Sequence, residues 1–248
     1  MFKRIALVFA ILLIAAVLFA GGQKDENTYV FASDVAWAPM EFVDANGDVV
    51  GFDIDLMAAL AKEAGFEYEI RNTAWDGIFA GLANGAYDGI ISSVTITDDR
   101  KAAMDFTDPY INAGQVLIVQ KSTSGVTTLE DMVGMKVGVQ NGTTGDFAVE
   151  AVAGVERRAY DEIGFAVEDL MNGNVDGVVC DSPVAADYVL QNENYKNTLK
   201  IVGEPFTEEY YGIAVQKGDT ELLNKLNAAL KKVIESGKRD ELIDKWLR

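Results

Sequence analysis

Residues 52–94, FDIDLMAALAKEAGFEYEIRNTAWDGIFAGLANGAYDGIISSV, decide the fold class. Over 52–64, Leu56, Leu60 and Ala64 recur at helical spacing on one face, and Gly65 stops the run. Residues 66–71 read as a strand. Residues 75–84 read as a second helix, ended by Gly85, and 89–94 (GIISSV) form an apolar run of strand length. Upstream, 29–33 (YVFAS) reads as a short buried strand, followed by Pro39 and an Asn46-Gly47 turn. The order β, α, β, α, β predicts a parallel sheet with helices on both faces.

The pattern then restarts. Strands are predicted over 115–120 (QVLIVQ), 136–140 (KVGVQ), 156–160 and 177–180 (GVVC). Helices are predicted over 129–132, 144–152 and 163–172. A second α/β unit therefore spans about 114–206. One more strand over 211–216 (YGIAVQ) and helices over 221–236 and 239–247 close the chain. No flexible Gly/Ser linker separates the units. The connections at 111–114 and 206–212 look strand-like, and two short stiff crossovers suit a hinge.

The N-terminus carries an export pattern. Lys3 and Arg4 precede an unbroken apolar run over 5–20, and small residues Ala20, Gly21 and Gly22 follow. The run is shorter than the roughly 20 residues of a membrane span. The expectation is a signal peptide over 1–22, cut after Gly22 or after Ala20, with an uncleaved anchor as the other reading. The residue after Ala20-Gly21 is Gly22, so the signal lacks a lipid-accepting cysteine. The location expected is periplasmic or otherwise extracytoplasmic.

Composition narrows the chemistry. Against 39 Asp and Glu stand 21 Lys and Arg, a formal charge of −18. Nucleic acid needs clustered Lys and Arg, so it is excluded as a partner. The charge says little about substrate, because acidic surfaces commonly serve solubility. Cys180 is the only cysteine, so no intramolecular disulfide forms, even though export permits one. Histidine is absent, which removes the Ser-His triad and the usual zinc site. No phosphate loop, dinucleotide fingerprint or zinc spacing occurs. Neither a cofactor nor a metal is expected.

Four segments carry polar chemistry at strand ends, where ligands of open α/β sheets bind. In Ser33-Asp34-Val35-Ala36-Trp37, a carboxylate and an indole lie three residues apart. Trp37 offers a flat wall for an apolar stem or a cation, and Asp34 an acceptor. In Gly51-Phe52-Asp53, Asp53 reads as a helix cap, and Phe52 as core or a second aromatic wall. In the third, Ser92, Ser93, Thr95 and Thr97 bring hydroxyls to a strand end and Arg100 follows, a set suited to a carboxylate. Thr97 as a helix cap with Arg100 in solvent is the plainer reading. The fourth is split. Gln140-Asn141-Gly142-Thr143-Thr144 joins a strand to a helix start that favours an anion. Cys180-Asp181-Ser182-Pro183 puts a carboxylate where it either caps a helix or meets a ligand ammonium.

Taken together, DVAWAPMEF, GFDIDLMAALA, GIISSVTITDDRKAAMDFTDPY, VGVQNGTTGDF, DGVVCDSP and YYGIAVQKGD, in this order, resemble the extracellular solute-binding proteins of family 3. These are polar amino-acid receptors of ATP-driven (ABC) importers. The resemblance covers nearly the whole chain after the signal. It implies the two-lobed type II periplasmic binding protein fold, an α/β architecture with each lobe a mostly parallel sheet flanked by helices. One lobe would hold 26–112 and 207–248, the other 113–206, with two hinge crossovers between them.

The resemblance also implies roles. Arg100, with Ser93, Thr95 and Thr144 near it, would hold the ligand carboxylate, and Asp181 the ammonium. Trp37 and Phe52 would sandwich the side chain. Asp34 would sit at its far end, helped by Ser92 and Gln140, with Thr143 in the adjoining loop. Gly145 departs from the family, which often has Gln or Ser there. The implied partners are a free L-amino acid and an ABC transporter permease, the implied state a monomer, and the implied motion hinge closure on the ligand.

An acceptor beside aromatic faces suits a guanidinium, so arginine is the favoured ligand and glutamine the next. Lysine or histidine remain open, and an acidic side chain would face Asp34 without a basic partner. Two rivals stand beside the receptor. The same fold resembles exported cyclohexadienyl or arogenate dehydratases, whose general acid would fall to Asp34, Asp181 or Glu41. A ligand-sensing domain is the other.

Overall fold

The computed structural model describes residues 27–248, so the expected signal at 1–22 lies outside the described residues. The chain opens on β1 (Thr28–Ser33). A small antiparallel ribbon of β2 (Ala36–Trp37), β3 (Glu41–Val43) and β4 (Val49–Val50) leads into α1 (Phe52–Ala64). Gly51 makes that junction at φ 135°, where an added Cβ would overlap the Met40 carbonyl, so only glycine fits. Next come β5 (Glu67–Asn72), α2 (Ile78–Ala83), β6 (Gly89–Ile90), α3 (Asp98–Ala103) and β7 (Met104–Phe106).

After β8 (Ile111–Ala113) the second unit is built from β9 (Gln115–Gln120), β10 (Lys136–Gln140), α4 (Thr144–Glu150), β11 (Glu156–Tyr160), α5 (Ile163–Asn172), β12 (Gly177–Asp181), α6 (Ser182–Ala186) and β13 (Leu199–Val202). The chain returns through β14 (Glu209–Tyr211) to β15 (Ala214–Gln216), α7 (Thr220–Glu235) and α8 (Lys238–Trp246).

Two five-stranded sheets result, ordered β5-β1-β6-β15-β7 and β11-β10-β12-β9-β13. In each, four strands share one direction and a single strand, β15 or β9, runs against them. Strand β9 is buried along five of its six residues, as its unbroken apolar run requires when both faces are covered. Leu56 and Leu60 of α1 pack into a core with Phe31, Phe66, Leu226 and Leu230. Each leucine so buried contributes about 1.5–3 kcal/mol. Helices α7 and α8 pack on α1, which returns the C-terminal segment to the first sheet. Strands β8 and β14 pair as a two-stranded antiparallel ribbon, with Ala113 opposite Glu209 and Ile111 opposite Tyr211.

Three local departures from the sequence reading matter for the site. The strand expected over 89–94 leaves its ladder after Ile90, and Ser93 takes φ 50°. It is the one non-glycine at positive φ among the described residues. Second, α2 begins at Ile78, so Trp75 lies in the loop before it. Third, Asp53 is not a cap. Gly51 occupies that position, and the Asp53 carboxylate accepts a hydrogen bond from the Ser93 N–H at 2.7 Å. A neighbouring element, not the end of its own helix, has claimed the side chain.

Candidate functional site

The C-terminal ends of β1, β6, β10 and β12 converge on one cavity of about 310 Å³ between the two sheets. Ten side chains predicted from sequence line it: Asp34, Trp37, Ser92, Ser93, Thr95 and Arg100 from the first unit, and Gln140, Thr143, Thr144 and Asp181 from the second. Phe52 does not. It is fully buried at the start of α1 and stacks on Tyr110 at 6.2 Å, so the second aromatic wall is a correction. Trp75 lines the cavity with Trp37 instead. Glu41 lines it too.

Arg100 stands at one end. Its Nη1 donates to the Thr95 carbonyl at 3.0 Å, and its guanidinium carbon lies 5.3 Å from the Trp75 ring and 5.0 Å from Phe79. Thr97 caps α3 through the Arg100 N–H at 3.2 Å, which fixes where the arginine leaves the helix. Cap and cavity residue are therefore compatible readings of one segment. Burial lowers the Arg100 pKa to about 10, against the opposing charges of Asp181 and Glu209.

Asp181 ends β12 in the N-cap position of α6 but makes no capping bond. It accepts instead from the Gln115 amide. Burial, and then the charge of Glu209, push its pKa up to about 7. Glu209, on β14, accepts from Thr144 Oγ1 at 2.7 Å and Thr95 Oγ1 at 2.9 Å. A single carboxylate on the connecting ribbon thus holds a hydroxyl from each unit.

At the other end, Asp34 accepts from Gln140 Nε2 at 2.9 Å, and its N–H donates to Ser92 Oγ at 2.9 Å. Burial raises the Asp34 pKa, opposed by the Gln140 bond. Glu41 accepts from Ser92 Oγ at 3.0 Å and Ser93 Oγ at 3.2 Å. Burial first, then the charge of Asp53, holds its carboxyl well above the ordinary glutamate value. Chemically, the cavity offers one guanidinium, several desolvated carboxyls, hydroxyl donors and two indole faces. A zwitterion with a positive or donor-rich side chain matches that set.

Sequence reasoning missed Trp75, Glu209, Gln115 and the wall position of Glu41. Trp75 follows the end of β5, the same strand-end location that singled out Asp34, so that signal was present. Gln115 and Glu209 sit within strands, and nothing local marks them. Among the described residues, no three His, Cys, Asp or Glu side chains gather to hold a metal.

Two sheets joined by a paired ribbon, with one polar cavity between them, define a two-lobed ligand-binding protein. The chain belongs to the bacterial extracellular solute-binding proteins, family 3, whose profile matches residues 29–248. A probable histidine-binding protein of Neisseria gonorrhoeae is 43% identical over 89% of this chain and 83% of its own. An ancestral arginine-binding protein bound to arginine superimposes with a TM-score of 0.86 at 43% identity, covering 90% of this chain and 99% of its own. The ancestral arginine-binding protein bound to glutamine gives 0.84 at 44% identity, covering 89% and 98%. Among the described residues no helix is long and apolar enough to cross a membrane.

Proposed function

We propose that this protein is an exported receptor for L-arginine, with L-glutamine as a second ligand, that delivers its cargo to an ABC importer by closing on it. The observation that carries this is the division of charge in the cavity. Arg100 is hydrogen-bonded in one group with Thr95, and Asp34, Glu41, Ser92 and Gln140 form another, all lining the same cavity as Trp37 and Trp75. Arg100 holds the ligand carboxylate, with Ser93, Thr95, Thr143 and Thr144 about it. Asp181 takes the ammonium. The side chain lies between Trp37 and Trp75, and its far end meets Asp34, Glu41, Ser92 and Gln140.

Closure follows from that arrangement. A ligand that touches Arg100 of one unit and Asp181 of the other stabilises only the closed form. The lobes are 26–112 with 207–248, and 113–206, and the β8–β14 ribbon is the hinge. Residues 1–22 act as the export signal, the receptor works as a monomer, and the permease docks to its closed form. The relatives that bind arginine, histidine and glutamine by name support the ligand class.

Calorimetry of the protein lacking residues 1–22 against a panel of amino acids tests the reading. Arginine is expected to bind tightest, glutamine more weakly, and glutamate not measurably. Tight glutamate binding without arginine binding would refute it.

A further inference from the structure

Glu41 in the cavity wall and Asp53 behind it are two buried carboxyls. Glu41 is 1% exposed, and both its oxygens accept from the Ser92 and Ser93 hydroxyls. Asp53 is fully buried, and its Oδ2 accepts from the Ser93 N–H at 2.7 Å and the Tyr110 hydroxyl at 2.8 Å. Its Oδ1 is also buried, and no N–H or protein hydroxyl donates to it. Ser93 bridges the two carboxyls, its N–H donating to Asp53 at 2.7 Å and its hydroxyl to Glu41 at 3.2 Å. Two ionised carboxylates cannot share such a place cheaply, whereas one proton between them supplies the donor that Asp53 lacks.

Among the described residues the surroundings provide no other neutralisation. Glu41 faces Asp34 after β1, Asp53 on α1, the Ser92 and Ser93 hydroxyls after β6, and the phenols of Tyr110 and Tyr211. Arg100, the one cation lining the cavity, interacts with Asp181 and Glu209. Burial pushes Asp53 up to about 6 and Glu41 well above its ordinary value, in the direction that a retained proton requires.

We propose that Glu41 and Asp53 form a proton-exchange subsite, which lets one cleft accept either a cationic or a neutral side chain. A guanidinium arriving at Glu41 displaces the shared proton to solvent and leaves a carboxylate paired with the cation. A neutral amide leaves the proton in place. Charge balances in both cases: one positive charge enters as one leaves, or none moves. The proposal rests on the amino-acid receptor reading and adds to it a mechanism for tolerating two side-chain charges.

The test is calorimetry of L-arginine and L-glutamine at pH 7, in buffers of different ionisation enthalpy, on the protein lacking residues 1–22. The buffer dependence of the binding enthalpy counts protons exchanged. Any release caused by the shared α-amino and α-carboxyl groups, including one at Asp181, cancels between the two ligands. Arginine is expected to release about one proton more than glutamine. The ratio of arginine to glutamine affinity is then expected to rise about tenfold per pH unit between pH 5 and 6.5. In Glu41→Gln the excess proton release is expected to vanish. Equal proton release by both ligands in the unmodified protein overturns the proposal while leaving the receptor intact. Failure of both ligands to bind overturns the receptor reading instead.

Discussion

Gln140 and Asp34 join the two sheets directly: the amide at the end of β10 donates to the carboxylate after β1 at 2.9 Å. The same amide donates to the Asp161 carbonyl at 3.0 Å, which pins it to its own unit. A bond across the cleft exists only when the units approach, so it stabilises the closed form. Gln140→Ala is expected to remove about 0.5–1.5 kcal/mol of that stabilisation and to weaken ligand binding about 2- to 10-fold. Small-angle scattering checks the mechanism. Saturated Gln140→Ala should keep a larger average radius of gyration than saturated wild type, and identical radii would assign Gln140 to ligand contact alone.

Arg100 is held on three sides, by the Thr95 carbonyl, Trp75 and Phe79. Its fork therefore needs little ordering when a carboxylate arrives. Arg100→Ala leaves that carboxylate facing Asp181 and Glu209 uncompensated. A loss of about 2–5 kcal/mol is expected, at least 30-fold in Kd. Arg100→Lys keeps the charge but loses the fork and the stacking, so a loss of at least about 10-fold is expected. Titration calorimetry measures both. A lysine variant with wild-type affinity would show that position 100 supplies charge only.

Much of this was legible in the sequence because the signals were local. Helical spacing in 52–64 and strand-length apolar runs predicted alternating elements, and two parallel-containing sheets contain them. Strand-end polar residues predicted ten side chains that share the cavity. What failed was orientation. Phe52 and Trp75 are both aromatics near polar residues, and only the helix start at Phe52 against the loop at Trp75 decides which faces the cavity. Gln115 and Glu209 lie 94 positions apart and act together through a 3.4 Å contact, a relationship that no local window contains. Asp53 looked like a cap because that is the commonest use of an aspartate there. Its partner Ser93 lies 40 residues away.

The buried carboxyls also set a pH dependence. Asp181 at about 7 and Asp53 at about 6 bind protons more tightly in the fold than an unfolded aspartate at 3.8 does. Between these values the native state holds more protons than the unfolded state, so stability falls as pH rises from about 4 to about 7. The ligand-free protein is expected to melt several degrees higher at pH 5 than at pH 8. Saturating arginine should shrink this difference, because bound cations favour the ionised carboxylates. Calorimetric melting at fixed ionic strength checks it. Asp181→Asn should flatten part of the ligand-free slope, and an unchanged slope would mean that Asp181 titrates normally.

Position 145 is a glycine, and Gln115 supplies a physical reason for it. A Cβ at 145 would lie 2.6 Å from Gln115 Oε1 and 3.3 Å from the Val179 side chain. Gln115 is 1% exposed, and its amide nitrogen holds Asp181, Thr144 at 3.1 Å and Glu209 at 3.4 Å. The side chain cannot swing away without releasing all three. Gly145→Ala is therefore expected to destabilise by about 1–3 kcal/mol and to weaken arginine binding, through displaced Asp181 and Thr144. Gln115→Ala alone loses the same bonds but opens the space. The double variant should then cost clearly less than the sum of the two single changes, since the clash has gone. Urea unfolding together with arginine titration measures both effects. Strict additivity would show that Gly145 and Gln115 do not share that space, and that the glycine has another cause.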